Sequence, residues 1–171
     1  MPNLTHPRLG IMNHQPPGPT CFMSCVVAIK EFYTGALLPN QGALSPVQAM
    51  HQNFMKYHAA ATTPPNHLKH ALSLEGHYDG EMIVGSATDA MQIFRNVITL
   101  KISCGKPVLC AIRSPGAPYG HVFMIYGYTL PNTVAVADPA FGLMNFPVTE
   151  LKAGYNGNPN YKWTKLFFTK R

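Results

Sequence analysis

The pattern of apolar and polar positions changes once along the chain. Up to about residue 105, apolar residues recur at helical spacing between capping signals. The first helix is predicted at Cys21–Thr34, with Thr20 as its N-cap and Gly35 at its end. It is mostly apolar or aromatic (Phe22, Val26, Val27, Ile29, Phe32, Tyr33), which places it deep in the core. Ser45-Pro46-Val47-Gln48 reads as a capping box with proline at the first helical position, opening a helix to about His58. Thr63-Pro64 repeats the signal for a short helix through about Leu72. Ser86 starts a further helix, with Asp89 near its N-terminus and Gly105 beyond its end.

Beyond Gly105 the period shortens. The runs 107–112, 121–128, 133–137 and Lys162–Thr169 are β-branched or aromatic and read as strands. Turn residues separate them at Ser114-Pro115-Gly116, Leu130-Pro131-Asn132 and 154–160. Residues 1–19 read as extended chain, and 1–14 as a lead. The run Gln15-Pro16-Pro17-Gly18-Pro19 cannot be helical, because prolines remove donors and push their predecessors toward the β region. A helical first half followed by a stranded second half is an α+β layout. The 171 residues suit a single domain, and 46% hydrophobic content is enough for a core without disulfide or metal staples.

Charge and cysteines narrow the classes. Thirteen Lys and Arg against seven Asp and Glu give +6, but the bases are scattered and only 162–171 is locally rich. No zinc-finger, RNP or basic-helix pattern accompanies them, so no specific nucleic-acid partner is expected. No secretory signal opens the sequence and no run of 18 apolar residues exists, so neither export by that route nor a membrane span is expected. The four cysteines, at 21, 25, 104 and 110, then read as free thiols in a reducing compartment. They fit zinc poorly, since Cys104 and Cys110 are too far apart and no histidine pair completes a set; no metal or cofactor is implied.

Four residues carry candidate chemistry. Cys21 sits at a helix start, where unpaired N–H groups and the helix dipole stabilise the reactive thiolate form. The alternative for any such cysteine is a small buried hydrophobe. Of eight histidines, His121 alone opens a strongly apolar strand, directly after Gly120; the other seven fall in loops or on helix surfaces. Asp138 ends the run Thr133-Val134-Ala135-Val136-Ala137, and a buried aspartate needs a partner. If the two strands form a hairpin, Asp138 and His121 fall at the same end of the sheet. The carboxylate then holds one ring nitrogen and the other faces the thiol. A turn cap before Pro139 is the plainer role for Asp138. Gln15, six residues before Cys21, is placed to add a side-chain amide to the Cys21 N–H as an oxyanion donor.

Gln15-x₅-Cys21 at a helix start, Gly120-His121 opening a strand and Asp138-Pro139 seventeen residues later together resemble papain-like cysteine peptidases. The pattern is most similar to the bacterial bacteriocin-processing and effector-type branches. Gly127-Tyr128, Lys106-Pro107-Val108-Leu109 and Met144-Asn145-Phe146-Pro147 add to the resemblance, which covers about 15–150. Two features depart from it. Phe22 stands where the family commonly has tryptophan, and the 100 residues from Cys21 to His121 are short beside the cathepsins. The resemblance implies an α+β papain-like fold, with an N-terminal helical half carrying the nucleophile helix packed on a C-terminal antiparallel sheet. It implies a Cys21–His121–Asp138 triad with Gln15 as the oxyanion residue, acting on a protein or peptide substrate, with paired glycines as the first specificity to test. A bacterial effector or toxin is the expected setting, delivered into a reducing cytosol and held silent in the producer by an acidic inhibitor. A deamidase, transglutaminase or acyltransferase on the same triad, or a non-catalytic binding module, is the alternative.

Overall fold

The computed structural model describes residue 4 and residues 20–63, 66–117 and 120–171. Helices α1 (Cys21–Thr34), α2 (Pro46–Tyr57) and α3 (His67–Leu74) come first, then strand β1 (Tyr78–Ile83). A continuous helical run follows, made of α4 (Ala90–Ile93), a π-helical turn Phe94–Ile98 and α5 (Thr99–Ser103). The rest is β2 (Val108–Arg113), β3 (His121–Thr129), β4 (Thr133–Asp138), β5 (Gly142–Pro147), α6 (Val148–Ala153) and β6 (Lys162–Thr169). The six strands form one antiparallel sheet in the order β1-β6-β2-β3-β4-β5. This is the expected α+β architecture.

Helices cover both faces of the sheet, so the helical half of the sequence is divided between two layers. Leu109, Val122, Met124, Ala137 and Phe167 face α1, α2 and α3. Their neighbours Val108, Cys110, Phe123, Ile125 and Val136 face α4, α5, α6 and the π turn. Burial on both sides makes the central strands continuously apolar instead of alternating. Fully buried side chains such as Met23, Ile29, Phe94 and Phe123 contribute about 1.5–3 kcal/mol each by leaving water.

The helix ends show which local signals act. Gly35 closes α1 in the left-handed conformation, its N–H donating to Glu31 O at 2.9 Å. Thr20 makes no side-chain cap of α1; its carbonyl accepts from Ser24 N instead. The Ser45/Gln48 capping box opens α2 as expected. The third helix begins at His67, with Thr63 bonded to Asn66, the residue before it; Pro64 lies outside the described residues. Asp89, and not Ser86, caps α4 through Met91 N at 2.8 Å, the carboxylate being the stronger acceptor at a helix start. Strands β1 and β5 and helix α6 were not expected. Both strands lie at sheet edges, where fewer apolar positions are required. His51, His58, His67 and His70 are half-buried rather than fully exposed. They gather around Phe22 and Phe54, with ring centroids 5.3–6.1 Å apart.

Candidate active site

Three element ends meet at one end of the sheet. Cys21 is the first residue of α1, His121 the first of β3 and Asp138 the last of β4. The hairpin inferred from the sequence is present, with Met124 opposite Ala137 in the β3–β4 register. Gly120 sets where the histidine leaves the backbone. A Cβ there would lie 2.4 Å from Ile112 O, so only glycine lets β3 begin this close to β2.

His121 Nε2 lies 2.7 Å from Asp138 Oδ2, which leaves Nδ1 as the nitrogen for the thiol. Burial alone would pull the ring's pKa down. Hydrogen bonds to Asp138 and to the Cys21 sulfur, with the charges of both, outweigh it and raise the value to about 9. At neutral pH the ring is therefore protonated, and Nε2 donates to the carboxylate. Asp138 is fully buried. Its Oδ1 accepts from Ala140 N at 2.7 Å and Phe141 N at 3.1 Å, and its Oδ2 also accepts from the Tyr155 hydroxyl. Burial pushes the carboxyl up, but the donors from His121, Tyr155 and Ala140 hold it below the usual carboxylate range. It is an ionised carboxylate with every face occupied.

Cys21 Sγ points toward Gly120 O at 4.0 Å, too far to tie up the thiol, and the side chain lines a cleft. Cys25, the rival nucleophile, is fully buried one turn further on. Its thiol donates to Val122 O at 3.5 Å, and burial, then the nearby Cys21, Asp138 and Cys110, push its pKa well up. All four cysteines are free. Gln15 lies outside the described residues. The cleft has a volume of about 420 Å³ and is walled by Ile112, Ala140, Phe141, Tyr155, Asn156, Asn158 and Tyr161 around Cys21 and His121. Among the described residues no group of three or more His, Cys, Asp or Glu could hold a metal ion. Also among them, no helix is long and apolar enough to cross a membrane.

The structure thus brings Cys21, His121 and Asp138 together, and it adds Tyr155, which the sequence reasoning missed. Its only local signal was an aromatic directly after Gly154 in a segment read as a turn. A cysteine sulfur beside an imidazole that is itself held by a carboxylate can give up its proton to the ring and act as a nucleophile with a proton donor at hand.

No protein-family model matches the chain, and neither does any curated relative. Among solved structures it is similar to the Pseudomonas avirulence protein AvrPphB, at 14% sequence identity and a TM-score of 0.53, covering 99% of this chain and 95% of that one. The likeness shows the fold: N-terminal helices and a C-terminal antiparallel sheet arranged as in that protein.

Proposed function

We propose that the chain is a single-domain papain-like cysteine peptidase acting on protein substrates. The observation that carries this is the meeting of Cys21 and the protonated His121 on one cleft, with the buried, ionised Asp138 bonded to the ring behind them. The Cys21 thiolate attacks a peptide carbonyl carbon, forming a C–S bond and moving the carbonyl electron pair to oxygen. The Cys21 N–H and the Gln15 amide stabilise that oxyanion. As the C–N bond breaks, His121 gives its proton to the leaving amine. A water then loses a proton to His121 and attacks the thioester, releasing the acid and restoring the thiolate–imidazolium pair. Asp138 keeps the ring oriented throughout. Loss of the Gln15 donor in Gln15→Ala should lower the rate by about 10²–10³.

The setting we propose is a bacterial effector or toxin working in a reducing cytosol. The likeness in fold to an avirulence protein supports it. The +6 charge suits an acidic inhibitor in the producing cell, since complementary charge speeds association. Paired-glycine peptides are the first substrates to try, and equal cleavage of Phe-Arg peptides would remove that specificity. The deciding experiment is mass spectrometry of a proteome treated with the wild type or with Cys21→Ala. New termini only with the wild type are the expected result. Targets left whole and barely heavier would point to deamidation, and identical spectra would refute catalysis.

A further inference from the structure

We infer that Tyr155 is a positioning residue for this site: its hydroxyl fixes the Asp138 carboxylate and so sets how tightly His121 holds its proton. The inference rests on the Cys21–His121–Asp138 reading and adds a fourth residue to it.

The geometry leaves the hydroxyl one main task. Tyr155 is buried, and its ring stacks on Phe123 at 4.6 Å and 10° between planes, with Phe146 edge-on at 5.4 Å. Its backbone is held at both ends of a tight loop: Tyr155 N donates to Tyr161 O, and Asn158 N donates to Tyr155 O, each at 3.0 Å. Gly154 makes that loop possible. A Cβ there would sit 2.5 Å from Pro159 Cα, and its φ of +156° disfavours any other residue. The ring therefore cannot swing away, and its hydroxyl donates to Asp138 Oδ2, the same oxygen that accepts from His121 Nε2. Burial and the adjacent carboxylate push the phenol pKa far up, so the hydroxyl remains a donor at every working pH.

Two donors on one oxygen compete for its charge. The phenol hydrogen bond disperses charge on Oδ2 and weakens its pull on the imidazolium. It also pins the carboxylate plane against which the ring is aligned. Removing the hydroxyl should tighten the hold of Asp138 on the His121 proton while loosening the ring's orientation. A residue that only filled space would do neither.

Tyr155→Phe keeps the ring stack and deletes only the donor. We expect the His121 midpoint, followed by the imidazole proton resonances, to move up from about 9 by about 0.5–1 pH unit. We expect kcat on a cleaved peptide to fall about tenfold with KM little changed, the usual scale for losing an outer hydrogen bond. In an Asp138→Asn background the same change should shift nothing further. Site-specific 3-fluorotyrosine at 155, a stronger donor of the same shape, should move the midpoint down, and this arm holds even if Tyr155→Phe folds poorly. An unmoved His121 midpoint in these variants overturns the inference. The titration needs no substrate, so it stands apart from the peptidase reading, which fails separately if Cys21 proves unreactive.

Discussion

Replacing Asp138 by asparagine keeps the side chain's shape and removes its charge, which isolates what the carboxylate does for His121. The ring's pKa stands at about 9 against an ordinary 6.5, and at 1.36 kcal/mol per unit this corresponds to about 3 kcal/mol of preference for the charged ring in the folded state. A pKa raised on folding contributes stability that is fully present below about 6.5 and is lost as pH rises through about 9. The wild type should therefore lose up to about 3 kcal/mol of unfolding free energy between pH 6 and pH 10. In Asp138→Asn only the Cys21 sulfur remains to offset burial, so much of that alkaline loss should vanish. The variant should also be less stable than the wild type at pH 6, because the His121 partner has gone. Urea titrations at pH 6, 8 and 10, analysed by linear extrapolation, measure both effects. An alkaline loss of the same size in both proteins would refute the coupling of Asp138 to His121, and with it the role of orienting acid. Turnover should fall in the variant without disappearing, since the thiol and imidazole remain.

Cys21 should be alkylated by iodoacetamide near neutral pH faster than exposed Cys104 or buried Cys25 and Cys110, read by peptide mapping after short exposure; earlier labelling of Cys25 would reassign the nucleophile. Gly120→Ala should cost roughly 1–3 kcal/mol in thermal or urea unfolding and depress turnover, because its Cβ must displace Ile112 O and carry the start of β3 with it. Stability should also fall on the acid side. Burial lowers the pKa of His51, and burial with the nearby His70 and His51 lowers that of His67, against a raising backbone bond at Ala59; none of these influences comes from a carboxylate. The unfolded chain then binds more protons at these two rings than the folded one, so their contribution to stability is full above about pH 6.5 and drops below it. The profile should be flatter in His51→Phe.

The readable parts of the site sit at element ends. A cysteine after a proline-rich segment at a helix start, a histidine after glycine at a strand start and an aspartate before proline at a strand end each carry a local signal. The one long-range assumption, that β3 and β4 form a hairpin, concerns neighbours in sequence and is the pairing observed. The edge strands lacked such signals. β1 reads Tyr-Asp-Gly-Glu-Met-Ile and pairs only with β6, more than 80 residues later, through a bulge at Gly80. Periodicity along α2 and α3 likewise says nothing of what α1 presses against them, so the gathering of histidines around Phe22 and Phe54 carries no local signal.

Tyr155 marks where that kind of legibility ends, for a physical reason. Its partner Asp138 lies 17 residues back, across β5 and α6, and nothing in a turn-like Gly-Tyr-Asn-Gly predicts which end of the sheet it returns to. The return is set by α6 packing Val148 and Leu151 into the second core and by Gly154 folding the chain back on Pro159. The proposed acid, base and nucleophile need particular chemical types at element ends, so sequence alone can nominate them. The group that tunes them needs only a hydroxyl at the right point in space, which many folds could supply from many places. Tuning residues in such sites are therefore to be sought among buried polar side chains that touch the orienting acid, whatever their place in the chain. Tyr155 meets that description here.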